Sequence, residues 1–112
     1  MALPETVRDA AVRHLDRYRA ARDGDERRIE YVIRGDSITL VERRPPWRPM
    51  RGAEWTSSNV AQFRFDETAR AWSLYWPRHT GQWMEYDGVG PARQIDALLR
   101  EIDRDPSGVF SG

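Results

Sequence analysis

The sequence predicts a two-layer α+β domain in which an N-terminal and a C-terminal helix pack on one face of an antiparallel five-stranded meander. Two observations carry this prediction. An amphipathic helical pattern opens the chain and another closes it, and the segments between them alternate apolar and polar residues with the period of a strand. Short turns join most of these segments, which favours neighbouring antiparallel strands. We expect residues 1–112 to form a single domain.

The first predicted element is a helix over residues 4–22, which Gly24 follows at a position suited to a helix C-cap. Its apolar residues recur at steps of three and four and therefore share one stripe. The stripe consists of Leu3, Val7, Ala11, Leu15 and Tyr18. One side of this helix is therefore expected to be buried.

A β-hairpin is predicted next, with strands over residues 27–34 and 37–43. Gly35-Asp36 is a two-residue turn of the kind that joins such strands. This turn pairs Ile33 with Ile38 and Tyr31 with Leu40, so these apolar side chains meet on one face.

A long connection over residues 44–59 follows, and strands are predicted over residues 60–66, 71–76 and 82–86. The turn between the first two of these strands pairs Phe65 with Trp72 and Phe63 with Leu74. The last predicted element is a helix over residues 91–104, with Gly90-Pro91 at its start and Pro106 after its end.

The alternation also predicts the two faces of the sheet. Bulky rings are expected beneath the helices because each buries a large apolar area. This set is Phe63, Phe65, Trp72, Trp76 and Trp83. The uncovered face is expected to carry Arg28, Arg34, Arg43, Gln62, Arg64, Tyr75 and Tyr86, with Val32, Val41 and Met84 among them.

Six separated blocks of the chain resemble a family of small bacterial proteins classed as a domain of unknown function. They are Glu42-Arg43-Arg44-Pro45-Pro46-Trp47, Trp55-Thr56, Phe63-Arg64-Phe65-Asp66, Trp72-Ser73-Leu74-Tyr75-Trp76, Trp83-Met84-Glu85-Tyr86-Asp87 and Asp105-Pro106-Ser107-Gly108-Val109-Phe110. The resemblance implies no activity, so it transfers no functional residues.

Composition narrows the classes of function. The chain has no cysteine and only two histidines without metal-ligand spacing, so we expect no metal and no cofactor. The formal net charge is zero, which argues against non-specific binding to nucleic acid. The N-terminus has no signal-peptide pattern and no apolar run is long enough to span a membrane, so we expect a cytoplasmic protein without membrane contact.

The best candidate site is the Arg-Pro-Pro-Trp loop beside the uncovered face. Arginine suits the bidentate binding of anions, and Trp47 could stack on a flat ligand. The candidate ligand-binding residues are Arg43, Arg44, Trp47, Arg64, Tyr75 and Tyr86. The competing interpretation is structural: Trp47 closes one end of the core and the arginines pair with Glu42 or Glu54.

The leading functional hypothesis is a non-catalytic binding module for a protein partner or an anionic ligand. The alternatives are a small enzyme acting on a phosphorylated or carboxylated substrate, and a structural homodimer formed through the uncovered sheet face. The enzyme requires a concave pocket that holds a carboxylate or His79 near the arginines.

Overall fold

The structure is a computed structural model that describes residues 2–46 and 54–110. Its elements follow the predicted order of helix, five strands and helix. They are α1 (Glu5–Arg22), β1 (Arg28–Arg34), β2 (Ser37–Arg44), β3 (Thr56–Asp66), β4 (Ala71–Pro77), β5 (Trp83–Glu85) and α2 (Ile95–Arg104).

The strands form one antiparallel sheet in the order β1-β2-β3-β4-β5. The hairpin pairs Ile33 with Ile38 and Tyr31 with Leu40, as predicted. The pairing of β3 with β4 also has the predicted register, with Phe65 opposite Trp72. The predicted fold class, an α+β protein with an antiparallel meander between terminal helices, is therefore confirmed.

Strand β3 begins earlier than the sequence pattern predicts. Thr56 already pairs with Arg44, so the segment 56–59 belongs to the sheet and not to the preceding connection. The register shifts at Val60, because Leu40 pairs with Ala61 whereas Val41 pairs with Asn59. A β-bulge of this kind interrupts the alternation of side chains, which is why the polar start of the strand was not recognised.

Helix α2 begins later than predicted, at Ile95 instead of near Pro91. Between them, Ala92 forms two backbone hydrogen bonds with Trp72, its N–H to the Trp72 carbonyl at 2.9 Å and its carbonyl from the Trp72 N–H at 2.7 Å. An extended residue bonded to β4 in this way delays the helix. These two hydrogen bonds connect the segment that precedes α2 to β4.

Both helices pack on the same face of the sheet, which we call the covered face. Its buried residues include Leu15 of α1, Leu98 of α2 and Phe63 of β3, each fully inaccessible to solvent. Polar contacts join the same layers. The Tyr31 hydroxyl of β1 donates to Asp16 of α1 at 2.6 Å, and the Tyr18 hydroxyl of α1 donates to Asp103 of α2 at 3.1 Å.

Within the described part of the chain, neither helix combines the length and the apolar character needed to cross a lipid bilayer.

Candidate functional site

The opposite face of the sheet, which we call the open face, carries the residues that alternate with the buried ones. Directly paired residues of neighbouring strands share a face, so the register assigns each side chain. The charged and aromatic members of the open face are Arg28, Glu30, Arg34, Arg43, Arg64, Asp66, Tyr75, Trp83 and Glu85. The open face also carries Val32, which is the exposed large apolar residue of the described chain, with 47% of its surface accessible.

A row of polar contacts crosses the middle of the open face from β2 to β4. The Gln62 side-chain amide donates to the Thr39 hydroxyl at 3.0 Å, and Arg64 Nε donates to Gln62 Oε1 at 2.8 Å. The Arg64 guanidinium carbon lies 3.9 Å from the centre of the Tyr75 ring. The Arg64 guanidinium therefore lies over Tyr75 in a cation–π arrangement, and its terminal nitrogens form no hydrogen bond to the described residues.

A second stacked pair lies where β1 begins. The Arg28 guanidinium carbon is 4.4 Å from the centre of the Trp55 ring, which lies just before β3. Arg28 is opposite Arg43, and Arg43 in turn pairs with Glu30 at 3.3 Å. Two of the face's arginines thus cover aromatic rings, whereas Arg43 neutralises a carboxylate.

The register of β5 contradicts one sequence prediction. Trp83 is opposite Pro77 and Met84 is opposite Trp76, so Trp83 belongs to the open face and Met84 to the covered face. The prediction had these two residues the other way round. A shift of one residue exchanges the faces of every side chain in a strand, and β5 has only three residues to define its alternation.

Tyr86 was predicted on the open face, and that prediction is wrong for the same reason. It is buried beneath α2, where its hydroxyl donates to Glu101 Oε2 at 2.7 Å and its ring packs on Phe110 with centroids 5.1 Å apart. The hydrogen bond to Glu101, together with burial, raises the pKa of Tyr86 above its usual value. Gly88 allows this position, since a Cβ there would lie 2.3 Å from the Tyr86 hydroxyl oxygen.

The structure separates Arg43 from Arg44, which the sequence analysis placed in one site. Arg43 lies on the open face, whereas Arg44 lies on the covered-face side and pairs with Glu42 at 2.6 Å. Successive strand residues point to opposite faces, so the two arginines cannot hold one ligand from this strand. The pairing with Glu42 agrees with the structural interpretation of Arg44. Trp47 lies outside the described residues.

Arg44 and Glu42 line a cleft of about 800 Å³ on the covered-face side, which we call the terminal cleft. Asp103 and Asp105, near the end of α2, line it as well. Asp105 Oδ1 accepts the Phe110 N–H at 3.2 Å, and the buried Asp105 Oδ2 has no hydrogen-bond partner among the described residues. The terminal cleft therefore joins arginine to several carboxylates.

Tyr18 also lines the terminal cleft. Burial, reinforced by the neighbouring Asp103 carboxylate, raises its pKa to about 12. The hydroxyl is therefore a neutral hydrogen-bond donor at physiological pH. His79 lies in the exposed turn before β5. It lines neither this cleft nor the second cleft described below. In residues 2–46 and 54–110, no group of three histidine, cysteine, aspartate or glutamate side chains is arranged so that it could hold a metal ion.

The fold and the open face define the molecule as a two-layer α+β protein whose sheet is covered by helices on one side and carries arginines stacked on aromatic rings on the other. The chain belongs to the family described as "Domain of unknown function (DUF3024)", whose model matches residues 3–112. This confirms the resemblance seen in the sequence at the level of a domain of unknown function. No curated protein and no solved structure shows a significant match to the chain.

Proposed function

We propose that the protein is a non-catalytic binding module whose open face docks against a protein partner. The observation that carries the proposal is the pair of stacked contacts, Arg64 on Tyr75 and Arg28 on Trp55, on a face that neither helix covers. Each contact places a guanidinium over a ring, which restricts both side chains before a partner arrives. Ordering side chains in advance reduces the entropy lost on binding.

The residue types of the open face support a protein as the partner. Tryptophan, tyrosine and arginine are the residues most enriched among those that dominate the binding energy of protein interfaces. Tyr75 and Trp83 lie on adjacent strands of the open face, and Arg64 lies beside Tyr75 on β3. Partly buried rings with a nearby guanidinium match the centre of such an interface.

The charge of the open face supports a protein partner over a nucleic acid. Its four arginines are balanced by three carboxylates, and the whole chain has a formal net charge of zero. Proteins that bind a phosphate backbone usually present a strong excess of positive charge. A mixed surface of this kind instead suits a partner with acidic and apolar side chains close together.

The test uses affinity capture with matched variants. The double variant Arg64→Ala with Trp83→Ala removes one stacked arginine and the partly buried ring of β5, while Arg13→Ala removes an exposed arginine of α1 as the control. We expect the wild type and the control to retain the same partner and the double variant to lose it. With the purified partner, each single substitution should weaken binding by about 30-fold, the effect of a residue that dominates an interface.

Circular dichroism and thermal unfolding of the double variant establish that the fold is retained. Retention of the partner by a folded double variant would place the interface elsewhere. Sedimentation velocity tests whether the partner is a second copy of this chain. Self-association of the wild type that the double variant loses would replace the proposal by a homodimer through the same face.

A second candidate function is favoured by the terminal cleft. It is lined by Arg44, which could hold a phosphorylated or carboxylated substrate, and by Asp105, whose buried Oδ2 has no hydrogen-bond partner among the described residues. The enzyme hypothesis requires a carboxylate within hydrogen-bond reach of the arginine, and Asp105 is the candidate for that role. The test is hydrolysis of p-nitrophenyl phosphate and p-nitrophenyl acetate. Turnover by the wild type that Asp105→Asn abolishes would support an enzyme, and no turnover above that of the variant would exclude hydrolysis of these substrates.

A further inference from the structure

A separate cleft of about 520 Å³ opens at the other end of the covered face. Its walls are the first turns of α1, the turn between β3 and β4, and the segment that precedes α2. We call it the arginine cleft, because Arg70 and Arg93 line it from two different segments. No residue of this cleft belongs to the open face contacts described above, so the inference is independent of the proposed function.

The arginine cleft has an unbalanced charge. Arg70 and Arg93 line it, and none of the described residues that line it is an aspartate or a glutamate. Within the ranges that the structure describes, neither arginine has a carboxylate oxygen within 4.0 Å. Unpaired arginines at a concave site favour an anion, because each guanidinium can form two parallel hydrogen bonds to a phosphate or carboxylate.

Two carboxylates on the flanking segments are engaged by other groups. Asp66 Oδ1 accepts the N–H groups of Thr68 and Ala69 at 2.9 Å and 3.2 Å, which fixes the turn before Arg70. Asp96, next to the start of α2, pairs with Arg100 at 3.0 Å. These interactions hold both negative charges on local donors, and the two arginines of the cleft keep their full capacity to bind a ligand.

Two aromatic side chains contribute to the inner wall of the cleft. Phe65 and Trp72 both line it, and their ring centroids are 5.1 Å apart at an interplanar angle of 56°. Both side chains are buried in the core, with 6% and 2% of their surface accessible. The accessible lining of the cleft is more polar than apolar, which suits a charged ligand, and the volume falls in the usual small-molecule range of about 300–1,000 Å³.

From these observations we propose that the arginine cleft binds a small organic anion, with its phosphate or carboxylate group on Arg70 and Arg93 and its compact apolar body against Phe65 and Trp72. Gln94 and Thr68 also line the cleft and supply neutral hydrogen-bonding groups. The backbone of Arg70 has a φ of 51°, a left-handed conformation that is costly for a residue other than glycine.

The test is an NMR titration of the full chain with phenyl phosphate, benzoate and benzyl alcohol as probes. We expect phenyl phosphate or benzoate to shift the amide signals of Ala69, Arg70 and Arg93 in a saturable manner, and uncharged benzyl alcohol to bind much more weakly. Tighter binding of phenyl phosphate identifies a phosphate site, and tighter binding of benzoate identifies a carboxylate site. Either order supports the proposal.

Variants assign the binding to the two arginines. Arg70→Gln and Arg93→Gln should each lower the affinity by about tenfold or more, the expected effect of losing a charge-assisted hydrogen bond. Arg78→Gln is the matched control, because Arg78 is an exposed turn arginine that does not line the cleft. Equal losses in all three variants, equal binding of benzyl alcohol, or no saturable shift with either anion would overturn the proposal.

Discussion

Both faces of the sheet carry aromatic rings, but different groups cover them. On the covered face, Trp72 is 2% accessible and lies among apolar residues of the helices and strands. On the open face, Tyr75 is partly exposed and its cover is the guanidinium of Arg64. A ring under helices contributes mainly to stability, whereas a ring covered only by a charged surface side chain stays available to a partner. The comparison therefore separates the residues that stabilise the fold from those of the proposed binding surface.

The sharpest test of this difference is truncation of one ring on each face. Trp72→Ala should lower the free energy of unfolding by about 3–5 kcal/mol, because it leaves a cavity in a closely packed core. Trp83→Ala on the open face should cost about 1 kcal/mol or less. Urea denaturation of both variants gives the two values, and equal costs would contradict the assignment of Trp83 to the open face.

Removing a single tyrosine hydroxyl from each face compares how much the two hydroxyl groups contribute to the free energy of unfolding. Tyr86→Phe leaves the buried Glu101 carboxylate without its 2.7 Å hydrogen bond and should cost about 1–3 kcal/mol. Tyr75→Phe keeps the ring beneath Arg64 and should change the free energy of unfolding by about 0.5 kcal/mol at most. Chemical denaturation measures both. A larger cost for Tyr75→Phe would show that its hydroxyl is structurally engaged.

Alkaline pH should weaken the covered face through Tyr18. Its pKa is about 12 in the folded protein, against 10.0 for the unperturbed group. Between these two values the unfolded chain loses the proton first, so the unfolded state is favoured increasingly as the pH rises. The stability advantage of the wild type over Tyr18→Phe should be constant at neutral pH and shrink from pH 10 to pH 12. An advantage that does not shrink in denaturation curves over this range would argue against a buried, neutral Tyr18.

A small gain in stability is expected at the turn that closes one end of the covered face. Arg70→Gly should raise the free energy of unfolding by about 0.5–1 kcal/mol, because glycine adopts the left-handed conformation without steric cost. The same substitution should lower the affinity for anions in the arginine cleft by about tenfold or more, as expected for Arg70→Gln. Thermal unfolding measures the first effect, and a lower melting temperature would show that the Arg70 side chain stabilises the turn.

Much of the fold was predictable because local signals agreed. The Gly35-Asp36 turn fixed the hairpin register, and Phe65 met Trp72 as the alternation indicated. The prediction that Trp83 lies on the covered face was wrong, because the size of a ring does not decide its face whereas the register set by the turn does. A turn centred on Thr80 pairs Pro77 with Trp83, and that pairing already assigns the tryptophan to the open face. In so short a strand the turn is the better guide.

The candidate site was predictable only in part. Arg64 and Tyr75 were assigned to the open face correctly, since they lie in strands with clear alternation. The stacking of Arg28 on Trp55 was missed, because these residues are far apart in the chain and no periodic pattern relates them. The separation of Arg43 from Arg44 follows from the strand period alone, but it becomes visible only once β2 is known to extend to Arg44.

Gly88 is a surface position at which a substitution would disturb the core. It is exposed, yet the Tyr86 ring lies against its backbone so closely that even a methyl group would displace the ring. That displacement would withdraw the hydroxyl from Glu101 and loosen α2 from the sheet. A substitution at a solvent-facing loop position would thus be felt in the core, and solvent accessibility alone would misjudge which sites in this protein can vary.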